Sequence, residues 1–161
     1  MTLEYIIIGK NAKEELSYVN SADVVESKGI KGDRYYYKKG TFNISQVNQK
    51  VREISIIAYE SLEICNKRID TKLDFLDLRR NLVIKNFNYE ELKDKEFKIG
   101  SATFKIVRTC PPCKFLSRLL DNDMMTALKY IGGYRATIIK SGIINIGDKL
   151  TITKKGICCE K

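Results

Sequence analysis

Short apolar runs separated by glycine-marked turns dominate the chain, and most of them carry the two-residue alternation of strands. Residues 3–8 and 22–25 are the first two strand candidates. Residues 30–37 include Gly32-Asp33-Arg34-Tyr35-Tyr36-Tyr37, which reads as a turn running into an aromatic strand. Residues 38–50 are polar with one glycine and read as a loop. Residues 53–58 (Glu-Ile-Ser-Ile-Ile-Ala) predict a buried strand, and residues 59–68 a short helix with Leu62 and Ile64 among charges. Residues 81–84 are again strand-like. Residues 95–100 and 102–107 read as a pair joined at Gly100-Ser101, with Phe104 and Ile106 alternating against Thr103 and Lys105. Phe115, Leu116, Leu119 and Leu120 recur at helical spacing, and residues 124–130 supply a further turn or two, stopped by Gly132-Gly133. Residues 134–139, 143–146 and 150–153, with turns at Ser141-Gly142 and Gly147-Asp148, predict a closing β meander.

Many short strands without regular strand–helix alternation imply a mainly β fold: a single β-barrel with a few short peripheral helices. The length of 161 residues suits one domain able to bury its own core. We place that domain at residues 1–155, with a short polar tail at 156–161. No apolar run approaches the about 18 residues needed to cross a bilayer, so no membrane association is expected. The first residues lack a basic n-region and a small-residue cleavage site, which predicts a cytoplasmic protein with reduced thiols. The five cysteines are an odd number, two of them adjacent at Cys158-Cys159, which argues against a disulfide framework.

Charge and missing residue types narrow the chemistry. A net charge of +9 favours anionic partners. The absence of histidine removes His-based acid–base work, Ser-His-Asp triads and His-containing zinc sites. No P-loop or dinucleotide-binding glycine motif occurs. Tyr35-Tyr36-Tyr37 beside Lys38-Lys39 could stack on bases, although an aromatic strand face is the simpler account, and nucleic acid is not favoured as a partner.

Residues 108–113 read Arg-Thr-Cys-Pro-Pro-Cys and hold both prolines of the chain. Proline fixes φ and restrains the residue before it, so this segment reads as a stiff turn mounting two thiols between a strand and a helix. Four readings are open for Cys110 and Cys113. A zinc site would have to recruit Cys158-Cys159, and adjacent cysteines chelate poorly. A thioredoxin-like dithiol would need a separate proline loop that the chain cannot supply. A structural pair is the third reading, and a single thiolate acting as a soft metal ligand is the fourth and favoured one. Arg34, Arg52, Arg79, Arg80, Arg108 and Arg135 sit at turns or strand ends. Arg79-Arg80-Asn81 combines planar guanidinium forks with an amide donor and acceptor, a set suited to phosphate oxygens.

Taken in order, these segments resemble the molybdenum cofactor sulfurase C-terminal (MOSC) domain family. The similarity runs through Gly32-Asp33-Arg34, residues 52–61 (Arg-Glu-Ile-Ser-Ile-Ile-Ala-Tyr-Glu-Ser), Arg79-Arg80-Asn81-Leu82-Val83 and Phe97-Lys98-Ile99-Gly100. It continues through Cys-Pro-Pro-Cys, Gly133-Tyr134-Arg135-Ala136 and the glycine-turn segment 143–150. Tyrosines stand here where many small bacterial members have a histidine after the Gly-Asp pair. The resemblance implies a β-barrel that binds the molybdenum cofactor in its molybdopterin form, an anionic pterin. It implies Cys113 as the metal ligand, with Cys110 as runner-up. It further implies cofactor contacts at Arg34, Arg79 and Asn81, to which we add Arg80, Arg108 and Thr109 as neighbouring candidates. The implied activity is reduction of N-hydroxylated compounds with an electron-donor protein, or carriage of the cofactor or its sulfur in company with a cofactor-biosynthesis protein. A basic nucleic-acid-binding β-barrel and a dithiol redox protein are the alternatives.

Overall fold

Alternating side chains on short strands set the architecture. The computed structural model describes residues 1–41 and 52–154. Strands β1 (Thr2–Ile8), β2 (Ser17–Val19), β3 (Ser21–Val25) and β4 (Gly29–Ile30) precede β5 (Ile54–Ala58). Helices α1 (Ser61–Ile69) and α2 (Phe75–Leu78) then lead to β6 (Leu82–Lys85). Helix α3 (Tyr89–Leu92), strands β7 (Glu96–Ile99) and β8 (Ala102–Thr109), and helices α4 (Lys114–Leu120) and α5 (Met124–Ala127) follow. Strands β9 (Tyr134–Lys140), β10 (Gly142–Asn145) and β11 (Thr151–Lys154) complete the described chain.

Eight strands form one sheet in the order β11-β7-β8-β9-β5-β6-β1-β2, and β10-β3-β4 form a second. The fold is mainly β with a few short helices, the large sheet curling strongly into a half-barrel. Strands β5 and β6 pair in parallel, with Ile56 opposite Leu82, because α1 and α2 carry the chain back between them. These two strands are buried on both faces. Ile54, Ile56, Leu82 and Ile84 point into the half-barrel with Phe97, Phe104 and Ile138, while Ile57 and Val83 pack outward against Cys65, Leu78, Leu116 and Met124 of the helical layer. Near-continuous apolar runs are the sequence mark of such two-sided burial.

Three expectations are corrected. Residues 134–153 form three strands as expected, but not a meander: β10 pairs with β3 and β11 with β7. Residues 35–37 belong to turns and not to a strand, because Asp33 draws the backbone in on itself. Its carboxylate accepts from the N–H groups of Gly9 (3.3 Å) and Tyr35 (3.0 Å), and local bonds of this kind compete with strand pairing. Helix α2 was also unforeseen. Asp74 and Asp77 cap it reciprocally, a capping box built with aspartate in place of glutamate. Most of the expected 38–50 loop, the 156–161 tail and Cys158-Cys159 lie outside the described residues.

Candidate functional site

Strand β8 ends by delivering Cys110, whose N–H donates to Gly133 O at 2.7 Å. Gly132 and Gly133 allow that approach. A Cβ on Gly132 would stand 2.6 Å from Cys110 O, and Gly133 has φ +93° with its Cβ position blocked by Ile56 O. Beyond Cys110, Pro111 and Pro112 show neither a bend nor a hydrogen-bonded turn, so the expected turn is instead an extended bridge. The charges of Cys110 and Cys113 both act on the guanidinium of Arg80. Both thiols are free. Cys113 closes the bridge at φ −134°, ψ 152°, and its carbonyl accepts from Leu116 N–H (3.0 Å) as α4 begins.

Five arginines converge near this bridge. Arg80 is buried, and its guanidinium staples three segments, donating to Gly132 O (2.8 Å), Leu78 O (3.1 Å) and Cys110 O (3.5 Å). Arg79 caps α2 at φ +56° and reaches the 9–16 segment, donating to Ala12 O (2.8 Å) and Glu14 O (3.2 Å). Arg34 is buried against Asp33 at 3.0 Å. Arg135 and Arg108 face each other directly across β9 and β8, a like-charge pairing that costs stability. Tyr35 is 6% exposed and lies between two of these groups, with Arg34 5.1 Å and Arg135 5.7 Å from its ring centre.

A cavity of about 40 Å³ opens among Arg34, Tyr35, Arg79, Arg80, Arg135 and Cys113. Among the described residues no carboxylate lies within ion-pair distance of Arg79, Arg80 or Arg135. The Nη1 atom of Arg135 is buried with no hydrogen-bond partner. Such an excess of buried cationic donors is chemically an anion site. The field also acts on Cys110. Burial pushes its thiol up, but the charges of Arg80 and Arg135, a hydrogen bond from the Arg135 side chain and the charge of Arg108 more than offset this and hold it below the ordinary thiol range. Burial pulls the Arg79 and Arg80 guanidiniums down, and neighbouring arginines add to the effect. A larger groove of about 810 Å³ runs along α1 over Tyr59 and Phe75. It holds no thiol and none of the clustered arginines.

The structure thus brings Arg34, Arg79, Arg80 and Cys113 to one cavity, with Cys110 buried beside it. Arg108 and Thr109 are exposed on β8 and do not line it, although Arg108 contributes to the field. Asn81 is turned into the fold. Its Oδ1 accepts from Ser55 N–H (3.2 Å) and Ser55 Oγ–H (2.8 Å), and its Nδ2 donates to Ile7 O (3.2 Å). Sequence reasoning missed Tyr35 and Arg135 as site residues. The signal for Arg135 was a guanidinium two residues after a glycine pair, in the second position of a strand with apolar residues at Ala136, Ile138 and Ile139. Among the described residues no three Cys, Asp or Glu side chains gather as a metal cluster.

The class is that of a small, curled, mainly β half-barrel domain with a thiol and a guanidinium cluster at its helical side. Residues 27–151 match the MOSC domain family, and the chain belongs to it. Its structure is similar to that of the YUAD protein from Bacillus subtilis (TM-score 0.75, 18% identity), covering 93% of this chain and 94% of that one. It is also similar to YiiM from Geobacillus stearothermophilus (TM-score 0.72, 14% identity, 97% and 77% covered). YiiM from Escherichia coli gives a TM-score of 0.69 at 13% identity, with 96% and 71% covered. At such identities the likeness is one of fold. No curated protein sequence matches.

Proposed function

We propose that this MOSC domain binds the molybdenum cofactor, with Cys113 Sγ as the metal ligand and the arginine-lined cavity holding the anionic end of the group. One observation carries the reading: a half-buried thiol shares a cavity with four guanidinium groups, one of which has a buried donor atom without an acceptor. The donors fit in kind. A thiolate suits a soft metal centre, and guanidinium forks suit phosphate oxygens. They fit in size only at one end, since about 40 Å³ encloses a charged head group and leaves the pterin body outside. When bound, the cofactor would supply two-electron redox chemistry at the metal. The chain's own contribution is to hold a thiol on a rigid proline bridge, to fix Arg80 by three backbone carbonyls, and to neutralise anionic charge.

Reduction of N-hydroxylated compounds, with electrons from a partner protein, is the activity we assign to the loaded protein. Carriage of the cofactor or its sulfur is the second reading, favoured by the partial exposure of Cys113. Base stacking gains nothing from Tyr35, which is buried among the arginines, and of the three tyrosines only Tyr37 is well exposed. The test is elemental analysis with pterin fluorescence on protein made in a host that synthesises the cofactor. Cys113→Ser is expected to lose bound molybdenum while keeping its circular dichroism. Molybdenum content equal to the wild type would refute the ligand assignment.

A further inference from the structure

We infer that the loop between α5 and Gly132 is a docking surface for an acidic electron-donor protein, with the Tyr130 ring as its anchor. The inference rests on the reading above in taking the partner as an electron donor, and it needs nothing from either thiol. Conformation is the first ground. Tyr130 is 90% exposed and sits at φ +66°, the only aromatic among the described non-glycine residues of positive φ. A bulky side chain in that region is strained, and such strain persists only where the surroundings enforce it. Here two guanidinium groups do so. Arg68 donates to Ala127 O (3.1 Å) and Lys129 O (2.8 Å) on one side of the tyrosine, and Arg80 donates to Gly132 O (2.8 Å) on the other. The Lys129 ammonium lies 5.3 Å from the ring centre and steadies it. A ring so exposed contributes little to the core, yet the fold holds it in place. Rigidly mounted tyrosines serve protein interfaces as anchors, because little freedom is lost when a partner closes over them.

Charge defines the partner. Arg68, Arg108 and Lys129 are exposed, and among the described residues no carboxylate lies within ion-pair distance of any of them. Arg108 flanks the same loop, since Cys110 two residues further on donates to Gly133 O. Asp123, the nearest carboxylate along the chain, caps the far end of α5. Unpaired cations around an exposed aromatic suit a surface rich in carboxylates and speed its arrival. Position favours a redox partner. The Gly132 carbonyl is held by Arg80, which lines the arginine cavity, so a protein seated on Tyr130 stands beside the wall of that cavity. Cleaving an N–O bond takes two electrons and two protons and releases water, so a one-electron donor must dock twice in each turnover. A small, fast-exchanging interface serves such traffic.

The experiment uses the full chain and a plant-type iron–sulfur ferredoxin, a small acidic one-electron donor, with basic cytochrome c as the counterpart. Binding is followed by calorimetric titration across a range of salt and mapped by amide shifts of the isotope-labelled chain. Ferredoxin should bind with shifts centred on Tyr130, its affinity should fall as salt rises, and cytochrome c should not bind. Tyr130→Ala should raise Kd at least about 10-fold. Tyr130→Gly should weaken docking as much while keeping a melting temperature at or above the wild type, since glycine accepts a positive φ without strain. No ferredoxin binding, shifts centred elsewhere, equal binding of cytochrome c, or an unchanged Kd in Tyr130→Ala would overturn the inference. So would a lowered melting temperature in Tyr130→Gly, which would make the ring part of the fold. Docking without molybdenum retention in a cofactor-making host would remove the cofactor reading alone, and retention without docking would remove this one alone.

Discussion

At the residue scale, two buried polar groups carry opposite lessons. The Asn81 amide looked suited to a ligand, yet its donor and acceptor are both spent inside the fold, tying β5, β6 and β1 together. Nothing local in Arg79-Arg80-Asn81 reveals that turn inward, which depends on Ser55 lying 26 positions earlier in the chain. Asn81→Ala should destabilise the protein by about 2–4 kcal/mol in urea unfolding, since it leaves Ser55 and Ile7 groups buried without partners. Cys110 is legible as a thiol but not as one held below the ordinary range, because Arg80 and Arg135, the arginines with the largest effect on it, come from two other segments. The unfolded chain keeps its proton up to the ordinary value of 9.0, whereas the folded protein has released it at lower pH. Over that window the unfolded state binds more protons, so stability rises with pH toward the ordinary value and is lost as pH falls through the lowered one. Urea midpoints measured against pH should show this slope in the wild type and a flatter one in Cys110→Ala.

At the element scale, strands were readable because period-two alternation is local, and their partners were not because pairing is decided elsewhere. Strand β9 illustrates this. Its residues alternate plainly, yet its neighbours are β8 and β5, while β10 leaves for another sheet. The short helices α2 and α3 fall below the length at which hydrophobic periodicity can register, and their only local marks are the capping side chains of Asp74 and Asn88, which the sequence reading did not pick out. The glycine pair that ends the helical segment does more than stop it. Gly133 holds a positive φ against β5, and Gly132 lets Cys110 and Arg80 meet on its backbone. Gly133→Ala should therefore cost roughly 2–4 kcal/mol and lower the melting temperature, a larger effect than the same change at Gly147, which shares a positive φ of +86° but has open space around it.

At the scale of the whole molecule, the cluster of Arg34, Arg79, Arg80, Arg108 and Arg135 is a standing electrostatic cost that an anion would relieve. The sequence disclosed the excess of charge, +9, but not its focus, since these arginines lie up to a hundred positions apart. An oxyanion held at the cavity stabilises the folded state by mass action, about 2.7 kcal/mol at a hundredfold excess over Kd. Sulfate or phosphate should raise the melting temperature above that in chloride at equal ionic strength, and Arg135→Gln should remove most of the difference. An equal response in that variant would assign the effect to general screening. The walls of the cavity come from positions as distant as Ala12 and Arg135. No fragment shorter than most of the chain can hold it, so during synthesis the ribosome must release nearly the entire polypeptide before any ligand can be captured. Occupancy of the pocket is in that sense a certificate of completed folding.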